Sequence, residues 1–266
     1  MKIGFIGGGA MAEALVKGLL SQEVVAPSDI YISDHKQKRC DSLSAEYKVQ
    51  ASVGGQAFVS VVDVLFLAIK PQAADAAMQE VYQAVRKDTL IVSIVAGLTL
   101  PVLEKYFTVQ PVVRVMPNTP LAVGEGMSAF ALGTNADEAN ADCIQQLLSA
   151  AGKAVQVKEN VMDAVTGLSG SGPAYAFLMI DALSDGGVAA GLPRQAAITL
   201  AAQTMLGAAR MVLETGQHPD ILRDQVTSPA GTTIAGVRVM EQQGVRGALI
   251  DAVLAATEKS KAMGKS

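Results

Sequence analysis

The chain is short of the residues that most often anchor chemistry: 266 residues contain no tryptophan, two cysteines and two histidines, and aromatic side chains make up only 4%. Cys40 and Cys143 have no second cysteine or histidine at ligand spacing. Neither a disulfide framework nor a zinc site follows from them, and both read as small, buried apolar residues. His35 and His218 are too few for a histidine-rich metal centre, so no metal site is expected. Charge is scarce too, at 17% of residues, with 21 basic against 25 acidic side chains and a net charge of −4. No Lys/Arg stripe interleaves with aromatics, which excludes a nucleic-acid groove. The apolar stretch after Lys2 is short and broken by glycines. It has neither the length of a membrane span nor the cleavage region of a signal peptide, so a cytoplasmic protein without membrane contact is expected. One further absence bears on mechanism: no lysine stands between Glu159 and Glu258, and the only histidine in that stretch is His218.

What the chain does have is apolar surface, half of its residues being hydrophobic, enough to bury an ordered core. Its length suggests two domains at about 100 to 200 residues each. The first 155 or so residues alternate β-branched runs with helix-like stretches, the pattern of parallel strands joined by crossover helices in a doubly wound sheet. The expected strands are Lys2–Ile6, Ile30–Ser33, Val62–Ile69, Thr89–Val95, Val112–Met116, Ser128–Leu132 and Ala154–Val157. From Glu159 the texture turns to Ala, Leu and Met punctuated by Gly and Pro, which reads as helix. The expected division is therefore residues 1–158 and 159–266. The run from Leu192-Pro193 to Glu214 is apolar nearly all round, the mark of a helix buried on every side. A domain of about 105 residues would struggle to cover it alone, so an oligomer is inferred. The last helix, Val245 to about Lys261, is expected to end in solvent.

Gly7-Gly8-Gly9-Ala10-Met11-Ala12 follows the first strand, which ends at Ile6, and opens a helical run. It reads G-x-G-x-x-A between strand and helix. In that context Gly7 makes the tight turn, Gly9 lets backbone approach a diphosphate, Ala12 allows close helix packing, and the first helical amides bind the anion. The end of the second strand, Ser33-Asp34-His35-Lys36, points two ways. Asp34 lies 22 residues after Ala12, where an acid can accept from a ribose 2′-hydroxyl, while His35 and Lys36 either serve a 2′-phosphate or are solvated loop. Ala68-Ile69-Lys70-Pro71 and Val95-Ala96-Gly97 end later strands, on the sheet edge where such folds bind ligands. Lys70 either reaches a cofactor phosphate or ribose or is a plain strand end.

Met116-Pro117-Asn118-Thr119-Pro120 makes a stiff loop at the edge of the expected nicotinamide pocket. Thr227-Ser228-Pro229-Ala230-Gly231-Thr232-Thr233 precedes a helix running to about Gln243 and reads either as a second anion site or as an ordinary capped helix start. Together with Gly4-Phe5-Ile6-Gly7 and Gly167-Leu168-Ser169-Gly170-Ser171-Gly172-Pro173-Ala174-Tyr175, these blocks resemble pyrroline-5-carboxylate reductases over essentially the whole chain. The resemblance implies a Rossmann-type α/β N-terminal domain and an all-α C-terminal oligomerisation domain. It further implies a homodimer that can assemble into a homodecamer, NADPH or NADH as cofactor, and 1-pyrroline-5-carboxylate as substrate in the last step of proline biosynthesis. The cofactor residues implied are Ile6, Gly7, Gly8, Gly9, Ala10, Met11, Asp34, Ala68, Ile69, Lys70, Pro71, Ala96, Gly97 and Asn118. The loop Ser228, Gly231, Thr232 and Thr233 would hold the substrate carboxylate and ring nitrogen, with Glu159 also near the substrate and Thr233 catalytic. Three positions depart from the family pattern: Ala10 where Asn or Gln is common, Asp34 where Ser or Thr is common, and Gly55 near an expected Asn. They leave the choice between NADPH and NADH open.

The chemistry agrees with the missing lysine. Carbonyl reduction leaves an alkoxide that needs a general acid, usually Lys or His. A cyclic imine can be protonated before hydride arrives, so hydroxyls and amides that orient the ring and carboxylate suffice. The expectation is that Thr233 bonds the ring nitrogen while the amides of Gly231 to Thr233 hold the carboxylate, with the nicotinamide of the N-terminal sheet facing that helix start. Two rivals stand beside it. A β-hydroxyacid-type dehydrogenase would want a lysine in the helical half, and a non-catalytic dinucleotide sensor is not excluded by fold.

Overall fold

The computed structural model describes residues 1–54 and 56–264; Gly55, one of the three departures above, lies outside them. Among the described residues an eight-stranded sheet forms in the order β3-β2-β1-β4-β5-β6-β7-β8. Its strands are β1 (Ile3–Ile6), β2 (Ile30–Asp34), β3 (Gln50–Val53), β4 (Val64–Leu67), β5 (Leu90–Ser93), β6 (Val112–Met116), β7 (Gly126–Leu132) and β8 (Gly152–Gln156). The helices between and after them are α1 (Ala10–Ser21), α2 (Gln37–Tyr47), α3 (Gln56–Val59), α4 (Pro71–Val81), α5 (Leu100–Tyr106), α6 (Glu138–Ser149) and α7 (Met162–Val165). All pairings are parallel except β6 with β7.

β1, β4 and β5 are buried along their whole length, as central strands covered on both faces must be. Successive side chains leave opposite faces, so Val64 and Phe66 enter one core and Leu65 and Leu67 the other. The first core packs Leu15, Leu19, Ile144 and Leu148 of α1 and α6 on the sheet, with Phe5 stacked on Phe66 at 4.8 Å between ring centroids. The second takes Met78 and Val81 of α4 and Leu103 of α5. Truncating one such leucine to alanine costs about 2–5 kcal/mol. Helix starts are set locally. Pro71 and Pro101 stand in first turns, where their missing N–H costs nothing, and α6 carries a reciprocal cap between Asp137 and Asn140.

Two strands differ from the sequence expectation. β3 is polar and exposed and lacks apolar alternation; it exists because the free edge of β2 accepts it in parallel register from Tyr31–Gln50 to Asp34–Val53. β7 runs against β6 because the connection between them is a single 3-10 turn, Thr119–Val123, too short for the crossover that a parallel neighbour needs.

The chain separates into two compact units, residues 1–170 with the end of α12 from Ala256, and residues 171–255. The 158/159 boundary expected from texture falls just after β8, and the compact division twelve residues further on. The second unit is helical: α8 (Gly172–Ala189), α9 (Arg194–Thr215), α10 (Pro219–Gln225), α11 (Thr232–Gln242) and the first part of α12 (Val245–Met263). α8 and α9 form a hairpin whose turn uses Gly191 at φ +98°, and Arg194 clamps it by donating to Ser184 (3.0 Å) and pairing with Asp185 (2.6 Å). Within one chain α9 buries only Ala197 and Ala201, and Phe177, Leu178, Leu200 and Leu254 are mostly exposed. Its all-round apolar surface is therefore not covered by its own chain. The Lys-rich end of α12 also departs from expectation. Lys259 and Lys261 are exposed, but Thr257 and Ser260 are buried, and the Ser260 hydroxyl donates to Asp163 at 2.7 Å.

Candidate active site

β1 delivers Gly7 at φ +101°, where an added Cβ would lie 2.4 Å from the Ala68 carbonyl oxygen, so a side chain would strike backbone. Gly9, the N-cap of α1, has extended backbone and open space where its Cβ would be. That bare concavity before the α1 amides suits a diphosphate. Ala12 is fully buried, as close helix packing requires. Ala10 is exposed and Met11 half-buried on the opening turn.

The loop borders a cavity of about 580 Å³ at the C-terminal edge of the sheet, lined among others by Ile6, Gly7, Asp34, Val53 and Ile69. Asp34 is pinned in its corner: the backbone N–H groups of Gly8 (3.2 Å) and Lys36 (3.0 Å) both donate to its carboxylate. His35 is 81% exposed beside it, with Nδ1 3.3 Å from the carboxylate. Lys70 is exposed as the N-cap of α4, ahead of Pro71. Ala68 is half-buried. Ala96 is exposed, and Gly97 turns at φ +77°.

Sequence reasoning missed the support under this loop. Arg39 of α2 donates through Nε to the Gly8 carbonyl (2.6 Å) and through a terminal nitrogen to Glu13 (2.5 Å), and the Tyr47 hydroxyl donates to Glu13 (3.0 Å). Burial alone would raise the Glu13 pKa, but the bonds from Arg39 and Tyr47 and the charges of Arg39 and Lys17 outweigh it and hold the carboxyl below its ordinary value. Burial, together with Glu46 and Glu13, pushes Tyr47 up. The available signal was a single carboxylate in the apolar run from Ala10 to Val16, which needs a partner if it faces inward.

Glu159 is placed by a second ion pair. Arg114, the one charge in β6 and 7% exposed, donates to its Oε1 at 2.7 Å, and the Leu100 N–H at the start of α5 donates to the same oxygen at 3.1 Å. Glu159 Oε2 is buried and has no partner among the described residues. A cavity of about 240 Å³ lies alongside, lined by Gly97, Thr99, Arg114, Asp163, Lys261 and Gly264. Asn118, expected to touch cofactor, has its amide engaged at both ends: Nδ2 donates to the Ser169 carbonyl (3.1 Å) and Oδ1 accepts from Met127 N–H (2.8 Å). In this structure it ties the turn after β6 to β7 and to the π-helical stretch Thr166–Gly170.

In the helical unit, Ala230 adopts a left-handed φ of +56°, rare for a residue with a side chain, just before Gly231 caps α11. The Gly231 N–H donates to the Ser228 carbonyl at 3.1 Å. An added Cβ on Gly231 would lie 2.3 Å from the Ser228 hydroxyl, which therefore stands directly over it. Thr232 and Thr233 open the helix, where backbone amides have no intrahelical acceptor, with Thr232 exposed and Thr233 half-buried.

A family model for pyrroline-5-carboxylate reductase dimerisation matches residues 159–263, and one for coenzyme F420-dependent NADP oxidoreductases matches residues 2–97. The pyrroline-5-carboxylate reductase of Synechocystis is 45% identical over 100% of this chain and 99% of its own. The chain belongs to the pyrroline-5-carboxylate reductase family. A solved pyrroline-5-carboxylate reductase from Coxiella burnetii superimposes with a TM-score of 0.94 at 33% identity, covering 100% of this chain and 99% of that one. The Plasmodium falciparum pyrroline carboxylate reductase, crystallised with NADP bound, gives a TM-score of 0.88 at 30% identity, covering 99% and 98%. Membership accounts for the uncovered apolar helices: in a pyrroline-5-carboxylate reductase this half is the dimerisation domain, so the oligomer inferred from α9 follows. It also makes the chain an NAD(P)H-dependent oxidoreductase, in keeping with the open glycine loop.

Proposed function

We propose that this chain reduces the ring C=N bond of 1-pyrroline-5-carboxylate with NADPH or NADH, giving L-proline in the last step of proline biosynthesis. The observation that carries the site assignment is the α11 start. A strained Ala230 and a hydroxyl at Ser228 lead into two threonines on unpaired helical amides, in a stretch free of lysine. The cofactor supplies the hydride when bound. The chain supplies orientation: the amides of Thr232 and Thr233 and the Ser228 hydroxyl bind the substrate carboxylate, and the Thr233 hydroxyl bonds the ring nitrogen. The Gly231 amide is already engaged with Ser228, so its part is to leave room for that hydroxyl rather than to bind. Glu159 contributes its buried Oε2 acceptor, which has no partner among the described residues, and Arg114 holds it in place.

For the cofactor, Gly7, Gly8, Gly9, Ala10 and Met11 receive the diphosphate, Ile6 and Asp34 the adenosine side, and Ala68, Ile69, Lys70, Pro71, Ala96 and Gly97 the rest of the dinucleotide. Asn118 acts by fixing its loop. The protein works in the cytoplasm as a homodimer that assembles into a homodecamer, so sedimentation should report the mass of two or ten 27.5 kDa chains. Following absorbance of reduced nicotinamide with pyrroline-5-carboxylate tests the activity. Turnover with an oxo acid in its place would make the chain a hydroxyacid dehydrogenase, and no oxidation at all would make it a sensor.

A further inference from the structure

We infer that Asp34 sets the cofactor preference of this chain and sets it toward NADH. The inference rests on the dinucleotide reading of the 580 Å³ cavity.

Asp34 ends β2 with a side chain only 11% exposed. Its carboxylate does not swing freely, because Gly8 N–H holds Oδ2 at 3.2 Å and Lys36 N–H holds Oδ1 at 3.0 Å. Both donors are backbone, so the charge is fixed at the rim of the glycine loop, where the adenosine ribose of a dinucleotide lies in such a fold. Each carboxylate oxygen has a second acceptor site, so one can still accept from a 2′-hydroxyl.

A 2′-phosphate brings a further −1.5 to −2 charges and needs a cation close by. Among the described residues neither lysine nor arginine lines the cavity. The guanidinium closest in sequence, Arg39, is spent on the Gly8 carbonyl and Glu13. Lys36 meets Asp34 through its backbone N–H, and its exposed side chain is not among the residues that line the cavity. His35 lies against the same carboxylate, its Nδ1 3.3 Å away. The corner thus offers an acceptor to a diol and a fixed like charge to a phosphate.

The test is direct binding without substrate. Dissociation constants of NADH and NADPH are measured by calorimetry for the wild type, Asp34→Asn and Asp34→Ser, with kcat/KM for each cofactor alongside. The wild type is expected to bind NADH at least about tenfold more tightly than NADPH, which is about 1.4 kcal/mol. Asparagine keeps an acceptor oxygen for the loop and loses the charge, so Asp34→Asn should move the ratio about tenfold or more toward NADPH, and Asp34→Ser likewise. Because the ratio is taken within one variant, a loss of folded protein cancels. NADPH binding as tightly as NADH in the wild type, or a ratio unchanged in both variants, overturns the inference while the dinucleotide reading stands. Binding of neither cofactor overturns both.

Discussion

Two glycines two residues apart should fail in opposite ways when changed to alanine. At Gly7 the backbone sits at φ +101° and a Cβ would approach the Ala68 carbonyl oxygen to 2.4 Å. The left-handed conformation costs an L-residue about 1–2 kcal/mol, and forcing a methyl into packed backbone about 1–3 kcal/mol. Gly7→Ala should therefore lose about 2–5 kcal/mol, or roughly 4–20 °C of melting temperature at about 2–4 °C per kcal/mol. At Gly9 the backbone is extended and a Cβ meets nothing within 4 Å. Gly9→Ala should lose only the N-cap difference, about 0.5–1 kcal/mol. Its methyl would instead occupy the space assigned to the diphosphate, weakening NAD(P)H about tenfold or more, which is a loss of about 1.4 kcal/mol. Thermal melts and a fluorescence titration of reduced cofactor on both variants distinguish the two effects. Gly9→Ala binding cofactor like the wild type would remove the diphosphate from that concavity. Gly7→Ala melting like the wild type would show that the β1–α1 turn is not built as described.

Thr233→Ala should lower kcat by about tenfold or more, the loss of a transition-state bond worth about 1.4 kcal/mol; unchanged steady-state kinetics would take Thr233 out of the mechanism. Ala230→Val puts a β-branched side chain at φ +56° and should cost about 1 kcal/mol or more, whereas Ala230→Gly should be neutral or stabilising by up to about 1 kcal/mol, as read from urea midpoints. Glu13 has a folded-state pKa below its unfolded value of about 4.3, so its contribution is complete above that pH and is lost as pH falls through the lower, folded value. Urea midpoints between pH 6 and 3 should fall less steeply in Glu13→Gln than in the wild type, and parallel profiles would contradict the Arg39–Glu13 arrangement.

The parts of the fold that the sequence made legible are those where burial writes a pattern. β1, β4 and β5 stood out as apolar runs because both of their faces are covered, and the strand–glycine–helix block announced the tight turn from β1 into α1. β3 left no such trace: Gln50-Ala51-Ser52-Val53 is a strand only because β2 offers it an edge. The direction of β7 lay in the length of a connection rather than in any residue of the strand. At the site, residue types suggested Asp34 and Gly231 and the family resemblance Asn118, but not which of their hydrogen-bonding positions were already engaged. Whether a carboxylate, an amide or an N–H is free is a property of its neighbours, and Gly8, Ser169 and Ser228 are those neighbours. Glu13 and Arg114 were visible as lone charges in apolar segments, though their partners lie 26 and 45 residues away.

The end of α12 belongs with the nucleotide half of the molecule, where Ser260 meets Asp163 and Thr257 is buried. The helical half is thus an interruption of the nucleotide half, not its sequel. A gene cut after β8 to express the nucleotide half alone would leave behind both α7, which carries Asp163, and the C-terminal segment whose Ser260 bonds to it. An engineered nucleotide half would do better to keep the segment from Ala256 onward together with residues 1–170.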